Sequence, residues 1–415
     1  MKYLYSFAIF LAGIILQVLA VFNKKLALFV KGRKETFSRL EATIKKSNHV
    51  IWIHCASLGE FEQGRPIIEG LRKSYPSSKI VLSFFSPSGY EVRKNYEKVD
   101  SVVYLPLDTI QNAKKFVELL HPDMAIFVKY EIWPNLLQQL QKKSIPTILV
   151  SGIFRQNQLF FKSYGTWMKE SLKSFSHFFL QNKSSESLLN SIGFQNTSVS
   201  GDTRFESVLG ILQQDNRLDF LENFVKEKLV LVAGSTWPID EKYLSHFLNK
   251  KQTENFRCII APHNIHPKEI QKLRNRIDVK TSLFSEGTIA PDTKVYIADT
   301  VGILTKIYSY ADIAYVGGGF DKEGVHNVLE PAVFDVPLVI GPIYDKFEEA
   351  KELVKLKACM VAKDEIQLHE HLTNLINNPN IRAEKGEIAG SFVKKNLGAT
   401  EIIMDYIEKE LGDNS

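Results

Sequence analysis

A chain of 415 residues exceeds what a single hydrophobic core usually organises and fits two domains of ordinary size. With 44% hydrophobic and 24% charged residues and no repeat or low-complexity tract, the composition is globular rather than fibrous or disordered. The net charge of +5 is modest and its Lys and Arg residues are scattered, so a nucleic-acid partner is not expected. Cys55, Cys258 and Cys359 stand far apart in apolar runs; they suit buried thiols in a reducing compartment, and neither a disulfide framework nor a metal site follows from them.

From residue 3 to residue 22 no side chain is charged. A helix of that length, at about 1.5 Å per residue, just reaches across a hydrocarbon layer of about 30 Å. Lys24, Lys25, Lys31, Arg33 and Lys34 follow it, against Lys2 alone before it, a bias that puts the body of the protein in the cytoplasm. Residues 1–22 therefore read as an N-terminal membrane helix. Two alternatives stand beside the span. A cleaved signal peptide fits poorly, because the apolar core is long and the region around Ala20 is a poor cleavage site; a helix lying flat in the interface needs only the same apolar run.

Beyond a basic, helical juncture the pattern alternates. Short β-rich runs at 50–55, 80–85, 101–104, 124–128, 147–150 and 178–180 are separated by helical patterns such as 61–75, 110–120 and 132–143. A second series of runs begins at 229–233 and continues through 258–261, 295–297, 313–316, 338–340 and 360–362. This alternation predicts βαβ units and an α/β fold of two Rossmann-like, doubly wound domains facing a central cleft. The expected limits are 23–205 and 229–390, joined by a polar linker at 206–228 and followed by a C-terminal helix at 391–415. Ligands of such folds bind at the carboxyl ends of the strands, so the residues just after each run carry the interest.

The first of these is Glu60, reached from the 50–55 run through Ala56, Ser57, Leu58 and Gly59. A carboxylate on the first turn of the next helix points into the cleft, and the helix dipole favours its ionised form, as a general base requires. Acids are also common helix-start residues with no other task. After 124–128 come Lys129 and the run Glu131-Ile-Trp-Pro-Asn135, in which Trp133 and Pro134 brace the turn and Glu131 faces the cleft. Arg155 follows the next run and fits an anion contact or a surface position equally.

In the second half, Gly234, Ser235 and Thr236 follow a strand and precede Pro238, a residue suited to a helix's first turn. Ser235 and Thr236 offer hydroxyl and backbone donors to a phosphate, or serve as plain caps. His263 stands after the 258–261 run; with His266 it lacks a convincing metal spacing. The run 313–316 ends in Gly317, Gly318 and Gly319, a loop follows, and Asn327 opens a helical pattern carrying Glu330, with Pro331 fixing the backbone. Glycines there let a ligand approach the main chain, a helix N-terminus takes an anion, and a carboxylate one turn in holds ribose hydroxyls. That is a nucleotide-sugar site in outline. Neither a P-loop nor an Asp-x-Asp element after a strand is present.

These motifs together resemble the 3-deoxy-D-manno-octulosonic acid (Kdo) transferases of lipopolysaccharide synthesis. The matching stretches are His54 to Glu60, Tyr130 to Asn135, Gly234 to Thr236, Asp299 to Gly302, Gly317 to Pro331, and Gly341 with Pro342. The resemblance implies a GT-B glycosyltransferase that inverts the anomeric centre without a metal or other cofactor. Its donor would be cytidine monophosphate-Kdo (CMP-Kdo) and its acceptor a lipid A precursor (lipid IVA) at the cytoplasmic face of the inner membrane. It casts Glu60 as the base, Ser235 and Thr236 as donor-phosphate contacts, and Asn327 and Glu330 as nucleotide contacts. Arg204 would offset charge on the departing phosphate, with His263, Gly318 and Gly319 also at the donor and Ser57, Lys129, Glu131 and Arg155 at the acceptor or elsewhere in the cleft. The chain departs from the family pattern at Lys129, where a Glu is usual, at Ala261-Pro-His-Asn264, which lacks an arginine, at Asp202-Thr203-Arg204, and at Ile303. A transferase or epimerase using a uridine diphosphate (UDP) sugar, and a non-catalytic membrane-anchored relative of the fold, are the competing readings.

Overall fold

The computed structural model describes residues 2–250 and 255–412. The chain divides into two compact units, one of residues 1–207 with 397–415 and one of residues 208–396. The first unit holds strands β1 (Val50–Cys55), β2 (Lys79–Phe84), β3 (Ser101–Tyr104), β4 (Met124–Val128), β5 (Thr147–Gly152), β6 (His177–Leu180) and β7 (Thr197–Val199). The second holds β8 (Leu229–Thr236), β9 (Phe256–Pro262), β10 (Thr281–Leu283), β11 (Val295–Ile297), β12 (Ile313–Val316), β13 (Leu338–Ile340) and β14 (Cys359–Val361). Every pairing among them is parallel, in the orders β3-β2-β1-β4-β5-β6-β7 and β10-β11-β9-β8-β12-β13-β14.

Parallel strands covered by helices on both faces are apolar nearly throughout. β1 is buried at every position, and its alternate side chains enter opposite cores: Val50 and Trp52 on one face, Ile51, Ile53 and Cys55 on the other. The chain leaves β1 and β4 in opposite directions in the first sheet, and β8 and β12 in opposite directions in the second. Such a reversal parts the loops at the carboxyl ends of the two strands and opens a crevice there. All three cysteines are free and buried.

The amino-terminal segment differs from the expected span. Its helix, Lys2–Leu19, has 18 residues, about 27 Å of rise. The chain then turns, and Asn23 caps the next helix, Lys24–Lys34, by accepting the N–H groups of Lys25 and Leu26. Among the described residues no helix is long and apolar enough to cross a membrane. Instead, one stripe of the helix docks on the first unit. Tyr5 donates its hydroxyl to the buried Asp108 (3.0 Å), Asn135 Nδ2 donates to Ser6 Oγ (3.0 Å), and Gly13 packs against Leu107. Leu4, Phe7, Phe10, Leu11, Ile14, Ile15 and Val18 remain exposed.

Two further segments are more structured than their polarity suggests. Residues 206–228, read as a linker, contain most of the helix Arg204–Leu209 and all of Asp219–Val225, whose Leu221 and Phe224 are buried. The stretch 391–415, read as one terminal helix, holds the end of the helix Pro379–Lys395 and the whole of Ala399–Leu411, separated at Gly398, where φ is 111°. The last helix belongs to the first unit: Ile403, Met404 and Ile407 join the core that contains Ile67, Ile68 and Leu71. Glu206 fastens its start by accepting the N–H groups of Gly398 and Thr400.

Candidate active site

In the first unit, residues from β1 and β4 meet at the point where the winding reverses. Ser57 is the N-cap of the helix Leu58–Ser74, and Glu60, in its first turn, folds back on it. Glu60 Oε2 accepts the backbone N–H of Ser57 (2.8 Å) and its hydroxyl (3.0 Å), half of a capping box. The capping role noted from sequence is thus real, yet it leaves Glu60 buried rather than displayed. Burial, and next the charge of Glu131, push its pKa above the ordinary glutamate value; Lys129, Ser57 and His54 offset part of the rise. The dipole argument anticipated an acid held ionised, and desolvation with a second carboxylate reverses the direction.

Glu131 reaches this place through a network that sequence reading did not isolate. The Trp133 indole N–H donates to Glu131 Oε2 (3.1 Å) and to His54 Nε2 (3.2 Å), and Glu131 Oε2 lies 3.6 Å from that nitrogen. An indole can only donate, so His54 Nε2 is the acceptor and the ring proton sits on Nδ1, which meets Ser83 Oγ (2.9 Å) and Ser83 O (3.2 Å). Trp133 also lies against Phe85, ring centroids 4.6 Å apart. Lys129, directly after β4, has φ 69°, a left-handed conformation costly for a lysine, and donates its N–H to Val150 O (2.9 Å).

The second unit brings Ser235, Asn327 and Glu330 together around a cavity of about 290 Å³ that Gly302, Leu304, Thr305, Tyr308 and His326 also line. Ser235 is not at a helix start but on an irregularity inside β8, at φ 53°, with the pairing to β9 shifting between Gly234 and Thr236. Strained non-glycine backbone of this kind clusters where ligands are held. Thr236 is the last residue of the strand and is buried, its hydroxyl 3.5 Å from Glu241 Oε1. Glu330 is held at both oxygens, by Asn327 Nδ2 (3.0 Å) and Thr305 Oγ1 (3.5 Å). The helix that carries it, Leu329–Ala332, is a single turn, and Asn327 precedes it, accepting the Leu329 N–H (3.1 Å). A dipole from so short a helix does little for an anion; the oriented carboxylate and hydroxyls carry the site.

Gly318 and Gly319 serve the backbone more than a ligand. A side chain at Gly318, where φ is 91°, would strike Gly324 O, and one at Gly319 would strike Gly341. Asp240, in the first turn of the helix Pro238–Lys250, ties these parts: it accepts from Trp237 N (2.8 Å), Gly318 N (2.9 Å) and the Tyr315 hydroxyl (2.6 Å). His263 is exposed and stacks between Trp237 and His326, 4.7 Å from each ring. Trp237 Nε1 donates to His326 Nε2 (2.9 Å); burial, and then His263, lower the His326 pKa to about 4, so a neutral ring faces the cavity. The cue for His326 was its place immediately before Asn327.

Two candidates stand elsewhere in the first unit. Arg204 clamps the buried Asp202 through Nε (2.9 Å) and Nη2 (2.7 Å), and Gln63 donates to the same carboxylate. Arg155 lies exposed on the loop after β5. Among the described residues, no group of three or more His, Cys, Asp or Glu side chains is placed to hold a metal ion.

Residues 31–207 match the family model described as 3-deoxy-D-manno-octulosonic-acid transferase (kdotransferase). A 3-deoxy-D-manno-octulosonic acid transferase of Aquifex aeolicus is 29% identical over 364 residues, covering 85% of this chain and 94% of that protein. One of Rickettsia bellii is 26% identical over 373 residues, covering 86% and 87%. Among solved structures, a UDP-GlcNAc 2-epimerase of Neisseria meningitidis superposes with a TM-score of 0.61 at 14% identity, over 87% of this chain and 100% of that one, a likeness of the GT-B fold alone. Relatives described as 3-deoxy-D-manno-octulosonic acid transferases align along most of the chain's length, and the stretches that resemble that family stand at the two strand-end sites.

Proposed function

We propose that this protein transfers Kdo from CMP-Kdo to a lipid A precursor, lipid IVA, in a single inverting displacement during lipopolysaccharide core synthesis. Glu60 takes the proton of the acceptor hydroxyl as its oxygen bonds to the ketosidic carbon. The bond from that carbon to the phosphate breaks, and its electrons leave with cytidine monophosphate (CMP). The observation that carries this reading is Glu60 itself, a buried carboxyl at the winding reversal whose raised pKa brings it toward the working range of a general base. Glu330, oriented at both oxygens, is suited to the ribose hydroxyls, and Ser235 with Thr305 to the phosphate.

The amino-terminal helix lies flat on the cytoplasmic face of the inner membrane, its docked stripe toward the protein and its exposed apolar side chains in the headgroup region. The exposed Lys24, Lys25, Lys31 and Lys34 after it favour an anionic surface, each by about 1 kcal/mol.

The test is a mass measurement on lipid IVA after incubation with the protein and a CMP-Kdo-generating system. The mass of one or more Kdo units should appear; an unchanged acceptor rejects the reading. Calorimetry separates the donor class: CMP should bind and UDP should not, and a UDP preference would favour a UDP-sugar enzyme.

A further inference from the structure

Among the described residues the Lys129 ammonium makes no ion pair and no hydrogen bond, although it is half-buried. Its position is imposed. The pairing of His54 with Phe127 runs β1 and β4 side by side, so the residue after β4 emerges beside the turn that carries Ser57 and Glu60. The N–H bond to Val150 O and the left-handed backbone then fix its departure from the sheet. The charge it meets there is negative: Glu60 lies close enough to Glu131 to feel its charge as well as that of Lys129, with the buried Cys55 thiol, Ser57 and the His54 ring completing the surroundings.

Catalysis adds another negative charge. The acceptor oxygen must come within roughly 3–3.5 Å of the carbon it attacks. In a 2-keto sugar acid such as Kdo, the carboxylate is bonded to that same carbon. A base that holds the acceptor's proton therefore has the donor's carboxylate as a near neighbour, wherever the nucleotide is gripped. Three carboxylates in a half-buried place repel one another unless a cation stands among them.

We infer that Lys129 receives the carboxylate of the transferred sugar acid, making it a specificity-determining residue that selects a sugar with an acid on its anomeric carbon and keeps Glu60 able to accept a proton beside it. The inference rests on the Kdo-transfer reading and deepens it.

Kinetics of the full chain with Lys129→Met, Lys129→Gly and Lys129→Arg test it; glycine is unstrained at φ 69° and guards against a folding artefact. Met and Gly should lower kcat/KM for CMP-Kdo roughly 10- to 100-fold, the size of a lost charge-assisted contact. They should leave CMP affinity and the acceptor KM unchanged and move the acidic limb of the kcat/KM profile to higher pH, because Glu60 loses its cation. Arginine should recover most of the loss. Unchanged donor kinetics overturn the inference. So does an effect confined to the acceptor KM, which would assign Lys129 to a lipid phosphate, or a loss shared by CMP binding and melting temperature, which would make it structural. Parent protein that transfers nothing from CMP-Kdo removes the underlying reading, and the inference with it.

Discussion

Glu60 does two things that pull against each other. As the acceptor of the Ser57 N–H and hydroxyl it secures a helix start, a task that favours a carboxylate. As a buried acid beside Glu131 it is pushed toward the protonated form, and the second influence wins. A carboxyl whose folded pKa is raised binds its proton more tightly in the native state than in the unfolded chain. Its stabilising contribution is full below the unfolded value of about 4.3 and is lost as pH rises through the folded value. Glu60→Gln, which can still accept from Ser57, should therefore melt higher than the parent at pH 8 but not at pH 4, while transfer falls roughly 10²- to 10⁴-fold with CMP affinity retained. Thermal scans at the two pH values and single-turnover transfer check both halves; equal melting at pH 8 would show that burial of the charge costs nothing. The place of Glu60 was legible from a strand, a short turn and an acid at a helix start. The direction of its pKa was not, because Glu131, Lys129 and His54 come from other stretches of chain and only the sheet order brings them near.

At the scale of elements, local pattern identified most strands because burial on both faces makes them apolar runs. It missed β7 and β10, three residues each with Thr and Ser among them, which gain their identity from a neighbouring strand rather than from composition. It ended β8 too early, since glycine at 234 reads as a stop and is instead the start of the irregularity that presents Ser235. The glycine loop after β12 depends on Asp240, which no period in the sequence marks. Asp240→Ala would leave the Trp237 and Gly318 N–H groups without their acceptor and cost at least about 2 kcal/mol. CMP affinity should weaken with it, since the loop leads to His326 and Asn327; urea unfolding and calorimetry read the two effects. The amino-terminal helix shows the opposite error: an uncharged run was read as a span, whereas Tyr5, Ser6 and Gly13 are docking contacts on the protein. Each large apolar side chain inserted at an interface contributes roughly 1.5–3 kcal/mol. Phe7→Glu with Ile14→Glu should accordingly reduce binding to anionic vesicles by at least about 100-fold in flotation, while soluble CMP binding stays the same; undiminished flotation would exclude this face as the attachment.

At the scale of the molecule, chain order and structural unit part company. The first unit closes only when the last helix returns to it, so its integrity depends on residues as far from Glu60 in sequence as the chain allows. Ile403, Met404 and Ile407 complete the core behind the helix Leu58–Ser74, the helix whose first turn holds Glu60, and Gly70 on that helix is in contact with Met404. Nothing in the apolar spacing of residues 399–411 says which sheet they cover; a helix period specifies a buried face and not its partner. Ile407→Ala removes buried methyl groups from this core and should cost roughly 2–5 kcal/mol of first-unit stability. Because Ser235, Asn327 and Glu330 belong to the other unit, the same variant should bind CMP with parental affinity while its transfer activity decays on warming before the parent's does. Urea unfolding followed alongside CMP calorimetry distinguishes this from a general loosening: joint loss of stability and nucleotide affinity would mean that the two units fold as one cooperative body, and loss of stability alone that Glu60 and the cavity beside Glu330 are maintained by separate cores.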